Sequence, residues 1–143
     1  MGLAIKCLFL GMLTATSYRS VPSQTDDSPF FTSIGDRCHK GGVAVSRDLL
    51  CGACKRLHGR CKHPEVVGRL HYGDWLYAKQ LGFLQVNDVM GAYTTQRVKG
   101  KKVRIPIRNR IDVWVKTLLE EKAFHKIHKG GQVEVWKVES PEK

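Results

Sequence analysis

Acidic side chains are scarce in this 143-residue chain: 13 Asp and Glu stand against 24 Lys and Arg, for a formal net charge of +11. That shortage excludes a mainly cationic partner and points to an anionic one, although charge alone does not choose among nucleic acid, an anionic lipid surface and an acidic cell-wall polymer. Long apolar runs are also missing. The run at residues 7–13 falls well short of the roughly 20 residues a membrane-spanning helix needs, so no stable membrane anchor is expected. Internal repeats and low-complexity segments are absent. What is present is 42% apolar content, which excludes a disordered chain, in a length suited to one domain with a modest core.

The few carboxylates are placed unevenly. Asp26-Asp27 follow Thr25, Asp88 ends Gln85-Val86-Asn87-Asp88, and Asp112 lies within Arg110-Ile111-Asp112-Val113-Trp114. Each cluster adjoins a stretch of alternating, β-rich sequence, and acids held at strand ends on a rigid barrel are suited to proton transfer to a glycosidic oxygen. Period-two patterning predicts short strands over 42–45, 75–78, 83–86, 103–107 and 133–138, with a first strand at 18–21. Gly, Asp, Asn and Lys-Gly turns separate them, the pattern of a small barrel. One segment, 116–127, is expected to be helical, with Leu118, Leu119, Ala123 and Ile127 on a 3–4 spacing and Gly130-Gly131 as its stop.

At the N-terminus Lys6, the apolar run 7–13 and the small-x-small triplet Ala15-Thr16-Ser17 together read as a short export signal over 1–17. The alternative is a buried strand or helix of a cytoplasmic protein. Removing that leader leaves Cys38, Cys51, Cys54 and Cys61, an even number in a short chain and a candidate disulfide set for an oxidising compartment. Cys51-x-x-Cys54 with Cys61, His63 and Cys38 also has the ligand types for zinc, with Lys55, Arg56, Arg60 and Lys62 interleaved as in a nucleic-acid knuckle. A single CxxC without a matched second pair is a weak metal signal, so disulfides are the preferred account, with three pairings open.

Residues 15–20, Thr25-Asp26-Asp27-Ser28-Pro29-Phe30, Gly41-Gly42-Val43-Ala44-Val45-Ser46, Asn87-Asp88-Val89-Met90, Asn109-Arg110-Ile111-Asp112-Val113-Trp114 and Val133-Glu134-Val135 resemble the motifs of the three-aspartate (3D) domain. The resemblance covers residues 15–138. It implies an all-β, six-stranded double-psi β-barrel with one or two short helices, related to the catalytic domain of membrane-bound lytic transglycosylase A and to rare-lipoprotein-A-like and expansin-like domains. The expected organisation is a signal peptide at 1–17 and a domain over 18–143 with a cysteine-bearing insertion at about 50–70. The implied activity is cleavage of peptidoglycan glycan strands by an exported, envelope-located monomer, without cofactor or metal.

By that resemblance Asp112 is the general acid/base, with Asp88 and Asp27 as supporting acids. Tyr18, Thr25, Arg110 and Trp75 are substrate-binding candidates, and Trp75 or Tyr93 is suited to stack on a pyranose face. From the residues alone, Asp112 reads first as a strand-end acid paired with Arg108 or Arg110 and Asp27 as a loop cap, while Asp88 is equally a turn aspartate. The chain departs from the family pattern at Ser46, where many relatives carry an acid or amide, in the insertion, and in the basic stretch 96–110. Two other functions remain open: an expansin-like binder that does not cut, and a basic zinc-binding nucleic-acid protein, which is disfavoured because it leaves the aspartate motifs unexplained.

Overall fold

The computed structural model describes residues 6–20, 32, 37–51, 69–128 and 131–139. Over these the chain forms β1 (Lys6–Tyr18), β2 (Gly42–Val45), β3 (Trp75–Ala78), β4 (Gly82–Val89), β5 (Tyr93–Val98), β6 (Lys101–Pro106), β7 (Arg110–Trp114), a helix α1 (Leu118–His128) and β8 (Gln132–Glu139). Six strands close a barrel in the order β1-β7-β2-β4-β3-β8, while β5 and β6 form a separate two-stranded sheet. Within the barrel β1 runs parallel to β7 and β2 parallel to β4; the other four pairings are antiparallel.

Alternation decides which side chains fill the barrel. On β7, Ile111 and Val113 are buried while Arg110, Asp112 and Trp114 are half-buried on the other face. Leu13 and Ala15 of β1, Val43 and Val45 of β2, Leu76 and Ala78 of β3, Leu84 and Val86 of β4, and Val133 and Val135 of β8 complete the core. Branched aliphatic side chains of this kind contribute about 1.5–3 kcal/mol each on full burial. With no open edge in the closed ring, the barrel's strand hydrogen bonds are all used internally.

The expected strands at 42–45 and 75–78 have those bounds, and those at 83–86, 103–107 and 133–138 are shifted or extended by a few residues. The first strand needs correcting: it is not 18–21 but Lys6–Tyr18, the segment expected as a cleavable leader. β1 pairs with β8 along Lys6–Thr14 and with β7 along Thr14–Tyr18. A bulge at Phe9/Gly11, where Gly11 has a φ of 122° that other residues rarely adopt, bends the strand so that one segment serves both neighbours. The barrel therefore incorporates residues that a boundary at residue 18 would leave out.

The helix is present but turned. Thr117 caps it, its Oγ1 accepting from the Glu120 N–H at 3.1 Å, and the Glu120 carboxylate accepts from the Lys116 N–H at 2.8 Å. Phe124 and His128 face inward with rings 4.7 Å apart, while Leu119 and Ile127 are 78% and 68% exposed. The stripe of Leu118, Leu119, Ala123 and Ile127 is thus not the buried face. The ion pair between Arg19 and Glu121, three residues before Phe124, fixes this rotation from the end of β1.

At the insertion, Leu50 and Leu70, both essentially inaccessible, form a parallel bridge that ties its two ends together. Cys54, Cys61 and His63 lie outside the described residues. Among the described residues no disulfide joins Cys7, Cys38 and Cys51 to one another, so of the three pairings left open the one that links Cys38 to Cys51 is not formed. No described helix is long and apolar enough to cross a membrane.

Deleting residues 1–17 is expected to abolish the cooperative thermal transition and the strand signal in circular dichroism, because β7 and β8 each lose a barrel partner. A folded 18–143 fragment with an unchanged transition would contradict this assignment of β1.

Candidate functional site

The registers of four neighbouring strands bring the motif residues into one row. Thr16 on β1 pairs with Asp112 on β7, Asp112 with Ala44 on β2, and Ala44 with Asp88 on β4. A register shift between Val43 and Ala44 produces the last alignment: Val43 stands beside Val86, yet Ala44 stands beside Asp88. Without that bulge Asn87 would stand beside Ala44 and Asp88 would pass to the next position. Two acids far apart in sequence, separated by an extended hairpin, are thereby held on one face with a single methyl group between them. Two strand spacings put their Cα atoms about 10 Å apart, so Asp88 acts on Asp112 through its field rather than by sharing its proton.

Asp112 is the electrostatically unusual member. Burial pushes its carboxyl up to about 6; the Thr16 hydroxyl and the Arg110 charge pull it down, and the charges of Asp88 and Glu121 push it further up. Thr16 donates to Oδ1 of Asp112 at 2.9 Å. Among the described residues no ion pair joins Asp112 to Arg108 or Arg110. Arg110 nevertheless lies on the same face of β7, two residues away, and its Nε is buried without a hydrogen-bond partner. A desolvated carboxylic acid that is half protonated near pH 6, flanked by a hydroxyl donor, is equipped to give and take back a proton close to neutrality.

Tyr18 closes one end of the row. It is 5% exposed, pairs with Trp114, and has its phenol pushed well above the usual range by burial, with the charges of Asp88, Cys38 and Asp112 adding to that effect. It therefore stays protonated and donates its hydrogen to the Cys38 sulfur, which also accepts from Ser20. Burial raises the Cys38 thiol, against the pull of those two donors. Trp114 in turn donates from its indole N–H to Ser20 Oγ at 2.9 Å. A cleft of about 600 Å³ opens at this end, lined by Arg19, Arg37, Lys40 and Lys116 with Trp114 and Cys38 among its walls. Its charge is strongly positive, with Glu120 the acid on the lining.

The structure thus brings Asp112, Asp88, Tyr18 and Arg110 together, and it leaves Trp75 out. β3 stands three strands from β7 in either direction round the barrel, and Trp75 is 47% exposed on that far wall. Tyr93 lies on the β5–β6 hairpin with the Arg104 guanidinium 4.3 Å above its ring, so one ring face is already occupied. Asp27 and Thr25 lie outside the described residues.

Three participants are not singled out as site residues by the sequence. Thr16 and Ala44 lie within the quoted motifs but carry no acid that would single them out before the register is known, and Cys38 belongs with the disulfide candidates by sequence. Ser46 is held in the interior for a structural reason. Fully buried, it accepts the Arg110 N–H at 3.1 Å through Oγ and so fixes the entry to β7. Asp48, two residues on, accepts the Asn109 N–H at 3.1 Å. Together they hold the chain where Asn109 turns through a positive φ of 49°.

Among the described residues no three His, Cys, Asp or Glu side chains are grouped as metal ligands. No family model matches the chain, and no curated protein matches it.

Because the folded-state value of Asp112 lies above its unfolded value of 3.8, the carboxylate opposes folding. That cost is absent below about pH 4, grows through about pH 6 and is complete above it, at up to about 3 kcal/mol. Asp112→Asn keeps an oxygen for Thr16 and removes the charge. It is expected to stabilise the barrel at about pH 8 by about 1–3 kcal/mol in urea denaturation, and by much less at about pH 4. Equal effects at both pH values would show that the acid is not desolvated.

Proposed function

We propose that this chain is a peptidoglycan-acting, lytic-transglycosylase-like enzyme on a double-psi β-barrel, with Asp112 as its general acid and base. The observation that carries this reading is the row Thr16, Asp112, Ala44 and Asp88, in which a half-buried carboxyl raised to about 6 is held by a hydroxyl donor. The motif resemblance supports it, as do the two parallel pairs in a closed six-stranded barrel, since each demands the crossover connection that a double-psi topology contains. Action on murein implies an envelope location, with β1 retained as a barrel strand.

The reaction needs one proton and one carboxyl group. Protonated Asp112 gives its proton to the glycosidic oxygen, the C1–O bond breaks with the electron pair leaving on that oxygen, and positive charge develops at C1 of the muramic acid. The Asp112 carboxylate then takes the proton of the C6 hydroxyl as its oxygen bonds to C1. The product carries a 1,6-anhydro ring and the acid ends protonated, so no water is consumed. Asp88 contributes a second negative field that favours the protonated form of Asp112 at the start and positive charge at C1 later. Arg110 and the cationic cleft beside Trp114 are suited to hold the substrate's carboxylates and carbonyls. Ala44, itself buried, places only a methyl group between the acids.

Mass spectrometry of soluble products from purified sacculi tests this. Wild-type protein is expected to release anhydro-ended muropeptides and Asp112→Asn to lower release by at least about 1,000-fold, with Asp88→Asn intermediate. Sacculus binding without any soluble product would instead identify a non-cutting, expansin-like binder.

The pH profile gives an independent reading. kcat/KM is expected to fall as pH rises through about 6, and Thr16→Val, which deletes the donor that favours the carboxylate, is expected to move that limb to higher pH. A limb that stays in place in the Thr16 variant would separate activity from Asp112.

A further inference from the structure

Residues 93–110 carry seven of the chain's 24 basic side chains and none of its 13 acids. Most of that charge is on the β5–β6 hairpin, which forms a sheet of its own outside the barrel. Its turn, Lys99-Gly100, has φ values of 51° and 78°, the primed geometry that matches strand twist and keeps the ribbon regular.

The register sorts the hairpin's two faces. Tyr93 lies opposite Pro106, Thr95 opposite Arg104, and Arg97 opposite Lys102, so these six share one face, and all six are exposed. The other face carries Thr94 and Ile105, both half-buried, then Gln96 and Val103, Val98 and Lys101. One side is thus a cationic strip with a single aromatic, in which the guanidinium of Arg104 rests 4.3 Å from the Tyr93 ring centroid. That stacking fixes the Arg104 head in place before a ligand arrives. Among the described residues none of Arg97, Lys99, Lys101, Lys102 and Arg104 takes part in an ion pair.

The hairpin's position in the chain relates it to the acids. It begins shortly after Asp88 and ends shortly before Asp112, and its base is closed by the Ile107 N–H donating to the Ala92 carbonyl at 3.0 Å. The hairpin thus leaves the barrel on the stretch of chain that joins the two acids. Uncompensated positive charge here has an electrostatic complement in a polymer with regularly repeated carboxylates.

We propose that the Arg97–Lys102–Arg104 face of the β5–β6 hairpin is a recruiting arm for the carboxylates of the peptide stems on a murein glycan strand. This inference rests on the peptidoglycan reading above and adds a specificity to it: strands with free stem carboxylates are captured in preference to strands whose stems are uncharged. Repeated carboxylates suit the strip because Arg binds them bidentately and because cations two residues apart on one strand recur at about 6.8 Å. Such capture acts mainly on association and weakens with salt.

The test is co-sedimentation with intact sacculi and with sacculi whose stem carboxylates have been capped as neutral amides with carbodiimide and ammonia, using Asp112→Asn protein so that binding is scored without cleavage. Binding to intact sacculi is expected to fall steeply between low and high salt, and to be roughly 10- to 100-fold weaker on amide-capped sacculi and in an Arg97→Gln, Lys102→Gln, Arg104→Gln triple variant. The variant's thermal transition reports whether it is folded. Equal binding to intact and amide-capped sacculi, or an undiminished triple variant, overturns the proposal. So does stronger capture by a DNA duplex or by anionic phospholipid vesicles than by stem-bearing sacculi. If stem-dependent, salt-sensitive binding persists while wild-type protein releases no anhydro product, the arm stands and the cleavage chemistry falls.

Discussion

The position of β2 is the constraint on which the rest depends. Four residues long and buried throughout, it pairs antiparallel with β7 on one edge and parallel with β4 on the other. Val43 and Val45 point into the core, which forces Ala44 to the opposite face, between the two acids. Gly42 admits β2 to this position: a Cβ there would stand 2.6 Å from Asn87 Nδ2 and 3.1 Å from the His39 carbonyl oxygen. Asn87 is 2% exposed and has little room to retreat. The same amide marks the bulge that brings Asp88 into line, so close approach of backbone, bulge and acid placement are one local arrangement.

Placing a carboxyl on such a row has an energetic consequence. A half-buried acid whose proton affinity is raised by desolvation opposes folding at neutral pH, and the core must offset it. Closure of the barrel supplies that offset by burying aliphatic side chains from all six strands, with β1 shared between β7 and β8. The polar surroundings are graded rather than neutralising: Thr16 donates, Arg110 draws the acid down without an ion pair, and Asp88 and Glu121 oppose it. Tyr18, kept protonated by burial and by neighbouring negative charge, directs its own proton to Cys38. The row thus retains one titrating group near neutrality while its neighbour stays a fixed donor.

Particular elements show how far the sequence could be followed. Strands at Gly42–Val45 and Trp75–Ala78 were legible because apolar runs there are short and bounded by turn residues. The segment Lys6–Tyr18 was not, because one basic residue, an apolar run and small residues satisfy a leader pattern and a barrel strand equally. Helix α1 was legible in place but not in rotation: its exposed Leu119 and Ile127 mimic a core stripe, whereas Phe124, His128 and the Arg19–Glu121 pair set the inward face. Trp75 has the chemistry of a sugar platform but stands on the barrel wall away from Asp112.

By itself the sequence determined the class of structure, the identity of the acids worth weighing and the concentration of positive charge between them, because alternation, composition and charge are properties of local chain. Which acid is desolvated, which residues neighbour it and which aromatic is excluded were decided only by tertiary structure. Those depend on strand order and register, and a shift of one residue at Val43/Ala44 is enough to exchange Asp88 for Asn87 beside the row.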